Sequence, residues 1–322
     1  MKTLSHDIFD SIEHIETNYE KADYICSNKI ATCLYIAYNL QKPIMVEGPA
    51  GVGKTELAKT TAELLNVPLV RLQCYEGLDE SKALYEWKYG KQLLYTQLLK
   101  DKLSELLEGA TTLEESMEKL HQHEDLFFSE SFLEPRPLFQ ALKHDTGCVL
   151  LIDEIDKADQ EFEAFLLEIL SEFQVSIPEI GTIKTKIKPL VFLTSNNQRE
   201  MSDALKRRCL HLHVPFPDEK LERRILQTRI PDLSEALNKE LVNFVQQIRT
   251  LELKKAPSIS ETIDWAKVLL LLNAEHLEHD MVKETLNTIL KFEEDIESAE
   301  QHLNEFISKA QETAAVRTSN KI

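Results

Sequence analysis

Glycine is scarce in this chain, with eight in 322 residues. Cysteine is scarcer still: Cys26, Cys33, Cys74, Cys148 and Cys209 make an odd set with no Cys-x-x-Cys pair. That speaks against a disulfide framework or a thiolate zinc site and fits a reducing compartment. Basic side chains are short too, 37 against 55 acidic, for a formal net charge of −18. This sign repels phosphates, so neither nucleic acid nor an anionic membrane is expected as a partner. No apolar run approaches the roughly 20 residues of a membrane span. The opening MKTLSHDIFDSIEHIE is too acidic and too weakly apolar for a signal peptide. The expectation is a cytoplasmic protein without membrane insertion. Repeats and low-complexity tracts are absent as well.

What is present is patterned. Residues 7–40 read as helical, with Ile8, Ile12 and Ile15 on one face. Short apolar runs then alternate with helices. KPIMVEG, VPLVRLQC, CVLLIDE, PLVFLTSNN and CLHLHVPFP read as strands, and TELAKTTAELLN and ADQEFEAFLLEILSEF as helices. QVSIPEIGTIKTKI reads as a hairpin. Strands buried on both faces and separated by helices predict a parallel sheet flanked by helices. Residues 75–146 are less regular and read as a helical insertion, with an amphipathic helix ending at Gly109 and a very acidic one over 110–125. Beyond Pro217 only helix patterns remain. Ile289, Phe292, Ile296, Ala299, Leu303 and Phe306 keep helical spacing in one long acidic helix. The expected domains are an α/β domain over 1–217, an all-α lid over 218–290 and a C-terminal helix and tail over 291–322. That last helix either packs back on the lid or serves as an interaction helix.

Three of the eight glycines, Gly48, Gly51 and Gly53, fall within six positions, and GPAGVGKT matches G-x-x-x-x-G-K-[ST] between a predicted strand and a predicted helix. Such a loop lets backbone N–H groups approach a polyphosphate that side chains would hold off. Gly48, Pro49, Ala50, Gly51, Val52, Gly53, Lys54, Thr55 and Glu56 are the candidate binding stretch. Lys54 places a charge on the β- and γ-phosphates, and Thr55 is a candidate Mg²⁺ ligand. The second signal is CVLLIDEID, an apolar strand ending in two acids. Asp153 is the candidate Mg²⁺ partner, and Glu154 is placed to polarise an attacking water. The implied cofactors are ATP and Mg²⁺. No N-K-x-D guanine-reading motif is found.

With LLIDEID, LTSNN and SDALKRRC added, the chain resembles the AAA+ P-loop ATPases, specifically their MoxR branch. RLQCYEGLDESKALYEWKYGKQLL, RPLFQALK, LTSNNQREMSDALKRRC and APSISETIDWAKVL look like the subgroup that contains the CO-dehydrogenase maturation ATPase CoxD. The resemblance implies a sensing asparagine at Asn196 or Asn197. It implies an arginine finger at Arg208, with Arg207 beside it, acting on the nucleotide of a neighbouring subunit. It implies adenine near Tyr24 and Ile25. It further implies a homo-oligomeric ring, most simply a hexamer, acting as a chaperone-like remodeller in enzyme maturation or metal-cofactor insertion. The implied partners are a von Willebrand factor A-domain protein and a client metalloenzyme. The family's arginine at the start of a lid helix is missing from APSISETIDW, and Lys254 or Lys255 are the nearest cations. The alternatives are a DNA-directed AAA+ motor and an ATP-binding switch without turnover.

Three further features stay open. Tyr75, Tyr85, Trp87, Tyr89 and Tyr95 either face a partner or pack an insertion. The hairpin at 177–183 either lines a pore or is structural. His211 with His213, and His121 with His123, have no further ligand at metal spacing.

Overall fold

The computed structural model describes residues 7–98, 112, 129–178 and 180–319. In it, α1 (Ile12–Lys21) and α2 (Asn28–Leu40) are separate helices. The side chains of Ser11 and Ser27 accept the N–H of His14 and Ile30 and cap them. The helical region expected over 7–40 is thus two helices, separated at a turn through Asp23 with φ 58°.

The chain continues through β1 (Ile44–Glu47), α3 (Lys54–Leu65), β2 (Leu69–Gln73), α4 (Glu80–Ala83), β3 (Tyr85–Trp87) and α5 (Tyr89–Leu98). Then come β4 (Leu133–Pro135), α6 (Pro137–Lys143), β5 (Val149–Asp153), α7 (Gln160–Glu172), β6 (Gln174–Ile177), β7 (Gly181–Lys184), β8 (Leu190–Ser195), α8 (Asp203–Arg208) and β9 (Leu210–His213). Five strands form one parallel sheet in the order β2-β5-β8-β1-β9. The predicted hairpin is the antiparallel pair β6–β7.

Alternation along each strand decides which helices it meets. Ile44 and Val46 of β1, Val149 and Leu151 of β5, and Phe192 of β8 pack with Leu34 of α2 and Leu57 of α3. Met45, Leu150, Ile152, Val191 and Leu193 point the other way, onto Leu138 of α6 and Phe162, Leu166 and Ile169 of α7. The sheet is thus sandwiched between two helical layers, as parallel sheets are.

The stretch read as a helical insertion contains strands as well: Tyr85↔Pro135, Glu86↔Glu134 and Trp87↔Leu133 pair antiparallel. Tyr85 and Trp87 pack on the core, while Tyr75, Tyr89 and Tyr95 are exposed. The acidic helix expected at 110–125 lies outside the described residues, apart from Thr112.

The lid is α9 (Glu219–Arg229), α10 (Glu235–Ile248), α11 (Ile259–Leu271), α12 (His279–Thr285), α13 (Glu293–Glu300) and α14 (Leu303–Ser319). The one long C-terminal helix that was expected is two, broken at Gln301–His302. Ala299, Leu303, Phe306 and Ala310 share a single core with Leu241, Phe244 and Trp265, so both helices pack back on the lid.

Candidate functional site

Register aligns Glu47 of β1 with Ser195 of β8, and Gln73 of β2 with Asp153 of β5. Gly48, Asp153 and Asn196 therefore leave the sheet together at its carboxyl edge, where open α/β sheets hold ligands. Gly48 donates its N–H to Ser195 O at 3.3 Å. A Cβ there would lie 2.0 Å from the carbonyl oxygen of Val214, so no larger residue fits. Gly53 sits at φ 94° as the cap of α3, a conformation that favours glycine, and turns the free N–H groups of that helix toward the loop.

Lys54, the first residue of α3, is buried at 7% exposure. Its Nζ donates to Gly48 O at 2.6 Å, Pro49 O at 2.7 Å and Asn196 Oδ1 at 2.7 Å. Burial lowers its pKa, and the carboxylates of Asp156, Asp153 and Glu154 oppose that shift. The Thr55 hydroxyl faces Asp153, 3.2 and 3.3 Å from its two carboxyl oxygens.

Asp153 is 3% exposed. Besides Thr55, it accepts bonds from the Thr194 hydroxyl and from Arg71, through Nε at 3.0 Å and Nη2 at 2.6 Å. Glu154 takes the left-handed conformation, φ 57° and ψ 50°, which is strained for a residue with a side chain. Its backbone N–H is held by Thr194 Oγ1 at 2.9 Å. Its carboxylate meets Gln73 Nε2 at 2.8 Å, Lys157 Nζ at 2.6 Å and Asn196 Nδ2 at 3.4 Å.

Of the two candidate asparagines, Asn196 enters the site, with its amide between Lys54 and Glu154. Asn197 is exposed at φ 59° and turns away. Arg207 and Arg208 end α8 near Leu210, which pairs with Ile44 at the amino edge of the sheet. Both are exposed, and Arg208 donates to Leu167 O. They therefore stand across the sheet from their own phosphate loop.

Beside the loop lies a cavity of about 450 Å³ whose walls include Tyr24, Ile25, Val52, Gly53, Ile259 and Ile263. Larger clefts, of about 690 Å³ along α9 and about 860 Å³ along the β2 edge, contain none of the loop residues. The smaller cavity is the one continuous with the phosphate loop.

Two contacts join lid to core here. Ser260 Oγ donates to Gly51 O at 3.3 Å, and Arg229 pairs with Glu56 at 2.8 Å. Burial pushes the Glu56 carboxyl up, and Arg229 and Lys59 together outweigh it, holding it below the usual range. Lys254 and Lys255 are paired inside the lid, with Glu294 and Glu261.

The donor set fits a magnesium-bound polyphosphate. A buried ammonium lies against loop carbonyls and an amide, and a hydroxyl and a carboxylate oppose each other as hard oxygen donors. Among the described residues, no group of three or more His, Cys, Asp or Glu side chains is placed to hold a metal. His121 and His123 lie outside those residues.

Residues at the site that went unread in the sequence include Arg71, Gln73, Asp156, Lys157 and Thr194. Asp156 is the least visible. It is 5% exposed, and its Oδ2 accepts the backbone N–H of Asn196 and of Gln198, each at 3.0 Å. The available signal was polar residues interrupting the ends of apolar strands.

Residues 44–217 match the model of the family described as "ATPase family associated with various cellular activities (AAA)". An uncharacterized protein of Staphylococcus epidermidis is 24% identical over 230 residues, 70% of this chain and 74% of that one. One from Staphylococcus aureus strain bovine RF122 is 24% identical over 239 residues, 72% and 77% of the two. Among solved structures, the Thermotoga maritima RuvB Holliday junction branch migration motor superposes with a TM-score of 0.44 at 16% identity, over 86% of this chain and 71% of that one. No described helix is long and apolar enough to cross a membrane.

Proposed function

The chain belongs to the AAA family of ATPases, and on that premise we propose that it binds and hydrolyses Mg²⁺–ATP between its α/β domain and its lid. One observation carries this reading: Lys54, Thr55, Asp153, Glu154 and Asn196, contributed by three separate elements, meet within hydrogen-bond distance. In the proposed reaction Lys54 and the N–H groups of the loop hold the phosphates. Glu154 orients and polarises a water for in-line attack, and Asn196 fixes the position of Glu154. Arg208 of a neighbouring subunit neutralises charge on the transferring phosphoryl group. Thr55 and Asp153 would hold Mg²⁺, which when bound draws charge from the phosphoryl oxygens.

The ring implied by that arginine is proposed to be a hexamer of MoxR type in the cytoplasm. Its proposed work is remodelling a client metalloenzyme together with a von Willebrand factor A-domain protein. The motif resemblance and the net charge of −18 support this over a DNA-directed motor. The test is phosphate release and nucleotide binding by the assembled protein. Lys54→Ala is expected to lose nucleotide binding. Glu154→Gln is expected to retain it while turnover falls by about 10²-fold or more. Unchanged turnover in Glu154→Gln would sink the hydrolytic assignment. Retention of DNA-stimulated, salt-sensitive turnover would favour the motor reading.

A further inference from the structure

The carboxylate of Asp153 is nearly saturated by protein donors. A carboxylate offers about four lone-pair sites. Here Oδ2 accepts from Arg71 Nε at 3.0 Å and Nη2 at 2.6 Å, Oδ1 accepts from the Thr194 hydroxyl, and the Thr55 hydroxyl straddles both oxygens. Of these donors only Arg71 brings a full charge. The Asp153 side chain is 4% exposed and that of Arg71 49%, so the acid cannot leave but the guanidinium can swing into water. Arg71 lies on β2, an edge strand, and among the described residues no strand lies beyond it.

Its other bond runs to Gln73 Oε1 at 2.6 Å, two residues along the same face, and Gln73 Nε2 donates to Glu154 Oε2 at 2.8 Å. Asp153, Arg71, Gln73 and Glu154 thus form one row beside the phosphate loop. A buried carboxylate needs a counter-charge. Arg71 supplies it.

We propose that Arg71 is a positioning residue and the resident counter-cation of Asp153, and that its contact and Mg²⁺ binding at Asp153 exclude each other. The inference rests on the Mg²⁺–nucleotide reading of the site. It gives the edge strand a role that the phosphate-loop and strand-end motifs do not assign. Arg71 balances the charge of the acid and orients it when Mg²⁺ is not bound, and it raises the Mg²⁺ concentration needed to fill the site. When it releases Asp153, Gln73 loses a partner, and the hold on Glu154 loosens with it.

The experiment titrates Mg²⁺ into the full-length protein with a fluorescent ADP analogue, and in parallel follows thermal unfolding with Mg²⁺ alone. Arg71→Gln is expected to lower the Mg²⁺ half-saturation for analogue binding by about threefold to tenfold. It is also expected to unfold earlier than wild type without metal and to gain more stability from Mg²⁺. Arg71→Lys, which keeps the charge but loses the two-nitrogen grip, is expected to fall between wild type and the glutamine variant. Arg71→Met reports the same shift should the glutamine variant fail to fold. An unchanged or raised half-saturation in the uncharged variants overturns the inference, as does a lysine variant that behaves like the glutamine one. Absence of Mg²⁺-dependent analogue binding in the wild type overturns the reading of the site, and this inference with it.

Discussion

The carboxylate of Asp156 accepts the backbone N–H of Asn196 at 3.0 Å, so the turn that carries the site's amide is pinned from beneath by a buried charge. A second bond from Gln198 N, also 3.0 Å, fixes the other side of the same turn. Asn196 then reaches Lys54 and Glu154 with its two amide atoms. Asp156→Ala is expected to loosen this turn and lower kcat by about ten- to a hundredfold, while nucleotide affinity changes far less. Single-turnover phosphate release, measured beside equilibrium nucleotide binding, separates the two. A loss confined to KM would show that Asn196 does not depend on Asp156. Asp156→Asn keeps an acceptor at the same place and is expected to fall between wild type and alanine.

What the sequence made legible were the strand ends. Apolar runs that stop at Glu47, Asp153 and Asn196 mark where a parallel sheet meets its ligand edge, and glycines beside Lys54 mark the loop between them. What it hid depends on pairing register. Arg71 and Gln73 look like ordinary polar positions of an alternating strand until β2 is laid beside β5, with Gln73 opposite Asp153. The β3–β4 pair escaped notice because each strand is three residues long and its partner lies far along the chain. The C-terminal break escaped for the opposite reason. Ala299 and Leu303 keep helical spacing across it, since both flanking helices feed the same lid core.

The lid holds a buried ion pair of its own, close to the junction with the α/β domain. Arg249 grips Glu222 with two bonds, at 2.6 and 2.7 Å, and the side chains are 8% and 0% exposed. Gln246 and Thr262 also donate to Glu222. The guanidinium lies 5.0 Å from the ring of Phe216, at the junction of the two domains, and bonds Pro257 O just before α11. Removing one member leaves the other charged and buried. Arg249→Met is expected to destabilise the lid by about 3–5 kcal/mol. Adding Glu222→Leu to it is expected to recover much of that loss. Urea unfolding followed by Trp265 fluorescence measures both, and a single-variant effect below about 1 kcal/mol would mean that water reaches the pair.

His276 makes lid stability depend on pH. Its Nδ1 lies 2.8 Å from Glu240 Oε1. The hydrogen bond to that carboxylate, followed by its charge, raises the His276 pKa above the ordinary value, with weak opposition from burial. A raised folded pKa means the contribution is fully present below the unfolded pKa, about 6.5, and disappears as pH rises through the folded one. The Tm difference between wild type and His276→Gln is therefore expected to be largest near pH 6 and to shrink toward pH 9. The ring is largely exposed, so the change is small, about one or two degrees. A difference that grows with pH would reverse the assignment.

Arg208 tests whether the site is completed by a second copy. Helix α8 leaves the carboxyl edge at its cap, Ser202, and runs back to the amino edge, where Leu210 pairs with Ile44. The phosphate loop follows Glu47 at the far end of that same strand, so Arg208 cannot serve the nucleotide held by its own Lys54. Arg208→Ala alone is expected to lose about 10³-fold in turnover while still binding nucleotide. Lys54→Ala alone is expected to bind none. Mixed and reassembled, the two variants create interfaces in which an intact loop from one faces an intact arginine from the other. Turnover above the sum of the separate proteins is the expected result. If Arg208 acted within its own chain, every site in the mixture would remain defective and mixing would recover nothing; if it did not act at all, Arg208→Ala alone would keep its turnover.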